Sequence, residues 1–258
     1  MTYPQKIIVL TDIHVRAPGE LISGIDPVAR LKAVLARATS DHPDAAEIIV
    51  MGDLTNEGST LEFETLRAAL PTPCPQIRWM LGNHDRRQPF LNAFPDTPVT
   101  PSGFAQQIID LVDWRLILLD TLDEKAPDMH SGLLCEDRLA WLDAALAGAE
   151  DRKVLVFMHH PPYETGFQGM DMIRLRNGPD VISRLKAAQI ELLVCGHVHR
   201  VISSVIDGVP SAIFKSTCHQ LPFDMSPASI HLAVDEPGAY GLLLLGSNGV
   251  VVHSVDVD

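Results

Sequence analysis

The sequence predicts an α/β fold with a β-rich carboxy-terminal segment, and three observations carry that prediction. Six short apolar runs rich in β-branched residues stand at residues 6–10, 48–51, 77–81, 115–119, 154–158 and 191–195. Their hydrophobicity is continuous rather than alternating, which marks strands covered on both faces. Helical apolar stripes lie between them, and strand–helix alternation of this kind is the signature of an α/β domain. Beyond residue 200 the pattern changes to short strand candidates joined by Gly, Asp, Asn and Pro turns.

Each element has a local cause. Asp26-Pro27 caps and opens a first helix whose stripe is Val28, Leu31, Val34 and Leu35. Ser59 with Glu62 has capping-box spacing; Phe63, Leu66 and Leu70 follow, and Pro71 ends the helix. Residues 137–147, with Leu139, Leu142, Ala145 and Leu146, predict a third helix and residues 179–188 a fourth. The tail predicts strands at 201–206, 212–215, 230–234, 240–244 and 250–255. The least periodic stretches, 85–103, 122–135 and 161–178, predict loops that grip a substrate.

Composition narrows the function. The 258 residues are 46% hydrophobic, enough for one large core and too apolar for a disordered chain. Lys plus Arg is 20 and Asp plus Glu 33, a net charge of -13 that opposes an extended nucleic-acid partner. The apolar start ends at Thr11 and Asp12, too soon for a signal peptide, and no run reaches membrane-helix length. Four dispersed cysteines without a CxxC pair predict reduced thiols and a cytoplasmic location.

Eleven histidines against three tyrosines and three tryptophans are the specific feature. Five predicted strand ends carry Asp12-Ile13-His14, Gly52-Asp53, Gly82-Asn83-His84-Asp85, His159-His160 and Gly196-His197-Val198-His199. The carboxyl edge of an α/β sheet is where loops from distant positions converge on a ligand. Imidazole, carboxylate and amide oxygen suit Mn, Fe, Zn or Co; calcium prefers an oxygen cage, and iron–sulfur or structural zinc sites prefer thiolates. The donors exceed one tetrahedral site, so two divalent metal ions sharing a carboxylate is the economical arrangement.

The ordered set D-x-H, GD, GNHD, HH and GH-x-H resembles the calcineurin-like metallophosphoesterases. Its local forms TDIH, GDLTNEG, GNHD, MHHPP and CGHVH are most similar to the bacterial branch of class III 3',5'-cyclic nucleotide phosphodiesterases and related glycerophosphodiesterases. The resemblance runs from about Ile7 to at least His219. It implies a four-layer α/β/β/α sandwich over residues 1–258, with 201–258 completing the second sheet and offering a subunit interface in a homo-oligomer. It implies one metal on Asp12, His14 and His199, another on Asn83, His159 and His197, and Asp53 between them. His84 is implied as the acid near the leaving oxygen and Asp85 as its acidic partner, against a plain turn acid; Asn83 and these two form the catalytic set. His160, Tyr163, Met170, Arg174 and His219 are implied around the substrate, with packing or surface roles as the rival reading. His42, His130, His231 and His253 have no partners in sequence and read as solvated or structural.

The expected function is hydrolysis of a small phosphodiester, a 3',5'-cyclic nucleotide such as cAMP first, through metal-bridged hydroxide attack. A glycerophosphodiester or promiscuous phosphodiester and phosphonate monoester hydrolase is the enzymatic alternative. A metal-binding scaffold protein without turnover is the non-enzymatic one.

Overall fold

A computed structural model describes residues 5–258, without the side chains of Ser229 and His231. The first four residues of the apolar start, and the side chain at the predicted position His231, therefore lie outside the described residues. The strands form two sheets. In the first, β1 (Gln5–Leu10), β2 (Glu47–Met51) and β3 (Ile77–Met80) run parallel, and β10 (Gly238–Gly246) and β11 (Gly249–Val257) extend β1 antiparallel. In the second, β5 (Trp114–Leu118), β6 (Lys153–Met158), β7 (Leu192–Cys195) and β9 (Val209–Ile213) run parallel, with β4 (Gln107–Asp110) and β8 (Ile202–Ile206) as antiparallel edges.

Three apolar layers explain the continuous strand hydrophobicity. Ile7, Val9, Ile49 and Met51 of the first sheet meet Leu116, Leu118, Phe157 and Val194 of the second. The outer face of the first sheet packs against α1 (Pro27–Asp41), α2 (Thr60–Ala69) and α3 (Arg87–Ala93), with Leu31, Phe63 and Phe90 buried. The outer face of the second packs on α4 (Glu136–Ala147), the short α5 (Gln168–Asp171) and α6 (Gly178–Ala187), through Leu142, Met170 and Val181. The result is the four-layer α/β/β/α sandwich. Burying a Leu or Phe side chain in such a layer contributes about 1.5–3 kcal/mol.

The helix starts follow their sequence signals. Asp26 accepts from the Val28 and Ala29 amides, and Ser59 with Glu62 forms the complete reciprocal box. Three local readings need correction. The stretch 85–103 contains α3, and β4 follows it; both are too short for periodicity to reveal, and β4 buries only alternate residues as an edge strand does. Residues 230–234 are no strand: Pro227–His231 form a 3-10 helix, and Val234 makes only an isolated bridge with Gln220. The tail also serves both sheets rather than the second alone. The Asp207-Gly208 turn, with φ of 51° and 89°, folds β8 back on β9 in the second, whereas β10 and β11 join the first because β1 offers a free edge to the antiparallel partner.

Candidate metal centre

Strands β1, β2, β3, β6 and β7 end at Leu10, Met51, Met80, Met158 and Cys195. Asp12, Asp53, Asn83, His159 and His197 follow within one to three residues, so parallel strands in both sheets deliver the donors to one edge. The delivering loops leave ordinary backbone geometry. Asp12, His14, Asp53, His197 and His199 all have positive φ, between 45° and 72°. Non-glycine residues in this region are held there at a local cost, and such strain concentrates at functional sites. Glycine is required next to them: a Cβ on Gly82 would stand 2.2 Å from Asp53 Oδ1, and Gly52 combines a φ of 96° with a close approach to the Gly82 amide.

The carboxylates are aimed by backbone donors. Asp53 Oδ1 accepts the His84 amide at 2.9 Å, leaving Oδ2 3.2 Å from His159 Nε2 and 3.7 Å from His14 Nε2. Asp12 accepts the His197 amide and the Thr11 hydroxyl, and its Oδ1 lies 3.2 Å from His199 Nε2. The tail braces this loop: Ser216 donates its hydroxyl to the Asp12 carbonyl and Thr217 its amide to the Thr11 carbonyl. Asp12, His14, Asp53 and His199 each place a donor atom within 4.8 Å of the others, and His159, His160 and His197 do the same in a separate group.

The imidazoles are prepared for coordination. His159 donates Nδ1–H to the Met51 carbonyl at 2.9 Å, and His199 donates Nδ1–H to the His219 carbonyl at 2.8 Å, which leaves Nε2 of each ring free to ligate. Asn83 Oδ1, His159 Nε2 and His197 Nε2 are buried and have no hydrogen-bond partner among the described residues. Buried polar atoms ordinarily find one, and a divalent cation is a partner that this amide oxygen and these imidazole nitrogens, once deprotonated, would suit. Asp53, which faces histidines of both groups, fits the shared position between two.

Electrostatics agree with that fit. Burial disfavours the Asp53 carboxylate, but the surrounding imidazoles, His159 foremost, hold it well below the usual range. Burial would likewise depress His159, yet the Asp53 and Asp12 carboxylates lift it to about 9. The metal-free centre therefore holds a proton where positive charge is wanted.

The calcineurin-like phosphoesterase family model matches residues 5–201, which carry every one of these donors. The chain belongs to the calcineurin-like phosphoesterases. It is similar to a probable cyclic nucleotide phosphodiesterase of Rhodopseudomonas palustris, 41% identical over 253 residues that cover 96% of this chain and 91% of the relative. It is 32% identical over 251 residues, 94% of this chain and 86% of the relative, to a 3',5'-cyclic adenosine monophosphate phosphodiesterase of Pseudomonas aeruginosa. Among solved structures, a dimetal phosphatase from Danio rerio matches with a TM-score of 0.72 over 100% of both chains; at 14% identity that likeness concerns the fold.

Beside the donors of this phosphoesterase centre opens a cavity of about 260 Å³, lined in part by His14, Asp53, Asn83, His84, His197 and His199. His84 donates Nδ1–H to the Asn56 carbonyl at 2.7 Å, so Nε2 is the nitrogen it offers to a substrate. Asp85 does not orient it. Its carboxylate accepts the amides of Leu54, Thr55 and Gly82 and the Thr55 hydroxyl, tying the β2 and β3 loops together, while burial first and then Asp53 raise it to about 6. Asn56 does the orienting, from within the GDLTNEG motif.

Of the residues expected around the substrate, Met170 and His219 line the cavity. The other three are elsewhere. His160 is buried with both ring nitrogens engaged, Nδ1 by the Thr121 hydroxyl and Nε2 by the His130 carbonyl. Tyr163 is buried in the outer core with its hydroxyl 2.7 Å from Ser211 Oγ. Arg174 is held by the Asp171 carbonyl and Glu164. Sequence reasoning also missed residues that do line the cavity: Ile22, Ile173, Leu221, Ile230, Leu232 and His130. Within the 220–234 excursion, the pattern at 230–234 suggests a strand where the chain instead forms a 3-10 helix, and His130 stands in no motif.

Proposed function

We propose that this phosphoesterase hydrolyses small phosphodiesters and that 3',5'-cyclic nucleotides, which carry a single negative charge, suit its cavity best. The observation that carries this reading is the mixed lining of the cavity, part polar and part apolar. The polar part of the lining holds metal donors and His84; the apolar part is Met170, Ile173, Val198, Leu221, Ile230 and Leu232. Among the described lining residues none is Lys, Arg or Glu, and Asp53 is the one carboxylate. A trimethylammonium group would find neither a free carboxylate nor a Trp, Tyr or Phe face there. A phosphomonoester dianion would find no guanidinium. A singly charged diester joined to a flat apolar base matches both parts, and about 260 Å³ is too little for an extended strand.

Two divalent ions held by Asp12, His14, His199, Asn83, His159, His197 and Asp53 would supply Lewis-acid activation of water and neutralise phosphoryl oxygens. The chain's own groups do the rest. Asn83 contributes a neutral oxygen, adding no negative charge beside an anionic substrate. His84, with Nδ1–H committed to Asn56, donates from protonated Nε2 to the departing alkoxide and is left neutral. Manganese, iron, zinc and cobalt all suit these donors.

The test compares catalytic efficiency on 3',5'-cAMP, 2',3'-cAMP, glycerophosphocholine and a phosphonate monoester, with EDTA and with manganese restored. The 3',5'-cyclic substrate is expected to lead and EDTA to abolish turnover. Glycerophosphocholine in the lead would overturn the substrate assignment; a folded, metal-loaded protein without turnover would overturn the activity and favour a scaffold. Four free cysteines, two of them buried, support a reducing, cytoplasmic location within the same proposal. No helix among the described residues is long and apolar enough to cross a membrane. Exposed Val251 and Val252 on edge strand β11 support a homo-oligomer, checked by sedimentation.

A further inference from the structure

His130 stands in the loop between β5 and α4, where no motif announces it, yet its ring is part of the cavity wall. Its Nδ1 lies 3.1 Å from Asn83 Nδ2, and its ring centre is 5.5 Å from that of His84. An amide nitrogen can only donate, so His130 Nδ1 is the acceptor and the ring carries its proton on Nε2. This bond settles which way the Asn83 amide faces. With Nδ2 spent on His130, Oδ1 is turned the other way, and it is there that Oδ1 is buried and unpaired. With the His130 ring protonated on Nε2, a reversed amide would put Oδ1 against the Nδ1 lone pair and present Nδ2, which cannot ligate a cation, to the metal side.

His130 is itself held in place by its backbone rather than its ring. Its amide donates to Asp128 Oδ1 at 3.0 Å, and its carbonyl accepts His160 Nε2–H at 3.0 Å. His160 is in turn fixed through Nδ1 by Thr121 Oγ1 at 2.7 Å. The buried histidine that follows the His159 ligand thus supports the loop that aims the Asn83 ligand. Gly132 is part of the same packing, since a Cβ there would stand 2.6 Å from the His160 ring.

We propose that His130 is the positioning residue of the second metal site, fixing the Asn83 amide so that its oxygen faces the ion. The inference rests on the two-metal reading above, and its test reads ion binding rather than turnover. Outer partners of metal ligands typically contribute about 10- to 100-fold to affinity. Calorimetric titration of the metal-free protein with Mn²⁺ would give two affinities, and the coupled paramagnetic signal of a manganese pair would report filling of both sites. His130→Phe keeps a ring and every backbone bond of the loop but removes the acceptor. It is expected to weaken the second ion about 10- to 100-fold and leave the first unchanged. His130→Gln, whose Oε1 can accept from Asn83, is expected to restore most of the loss. In an Asn83→Ala background, His130→Phe is expected to have no further effect.

Equal weakening of both ions by His130→Phe, wild-type affinity for both, or a Gln variant as weak as the Phe variant would each overturn the proposal. Wild-type protein that binds only one ion would overturn the two-metal reading and this inference with it.

Discussion

The proton on His159 makes the metal-free centre measurable. Its Nε2 lies 3.2 Å from Asp53 Oδ2 and 3.9 Å from Asp12 Oδ1, and these carboxylates outweigh burial to raise the ring to about 9. An ordinary histidine titrates at about 6.5. Because the folded value is the higher, His159 stabilises the metal-free fold fully below pH 6.5 and loses that contribution as pH rises through 9. At about 1.4 kcal/mol per pH unit the gap corresponds to about 3 kcal/mol. An ion must also expel this proton, so apparent affinity should fall by about tenfold per pH unit below 9, or about 100-fold from pH 9 to pH 7. The assay is urea unfolding of EDTA-treated protein at pH 6 and pH 9.5, with Mn²⁺ calorimetry in buffers of different ionisation enthalpy. Wild type should be less stable at the higher pH relative to His159→Gln, and should release about one proton per second-site ion at pH 7.5. No proton release, together with pH-independent affinity between 7 and 9, would refute the reasoning.

Three further outcomes are expected. His84→Ala should lower kcat by about 10²- to 10⁴-fold while both ions still bind, as activity and metal titration will report. Gly82→Ala, which brings a Cβ to 2.2 Å from Asp53 Oδ1, should cost about 1–3 kcal/mol in urea unfolding and displace the shared ligand, with metal content falling in parallel. Asp85→Asn turns an amide nitrogen toward the Leu54 and Gly82 N–H groups; a loss of about 2 kcal/mol is expected, with the pH profile of kcat unchanged. A shifted profile without lost stability would return Asp85 to an orienting role for His84.

The legible part of the site is the part made of short-range rules. A continuous apolar run predicts a strand covered on both faces, and Asp12, Asp53, Asn83, His159 and His197 each stand within three residues of such a run's end. Parallel strands bring those ends to one edge whatever the intervening loops do, so the donors could be gathered from their order alone. Asp85 shows the limit. Its place after His84 suggested a partnership, but the next residue along the chain can face the opposite direction, and here four donors on neighbouring loops claim its carboxylate. Tyr163 and Arg174 fail for the same reason, since a loop without periodicity says nothing about which side chain turns inward.

By itself, then, the sequence determined the layered α/β frame and the gathering of carboxylate, amide and imidazole groups at one sheet edge, because glycine, carboxylate and imidazole immediately after buried strands leave few other arrangements. Only the tertiary structure decided which nitrogen of each ring is free, which carbonyl holds His84, and that His130 and the 220–234 excursion belong to the cavity. Those are contacts between residues up to about two hundred positions apart, selected by directional hydrogen bonds and by packing. Neither leaves a periodic trace in the chain.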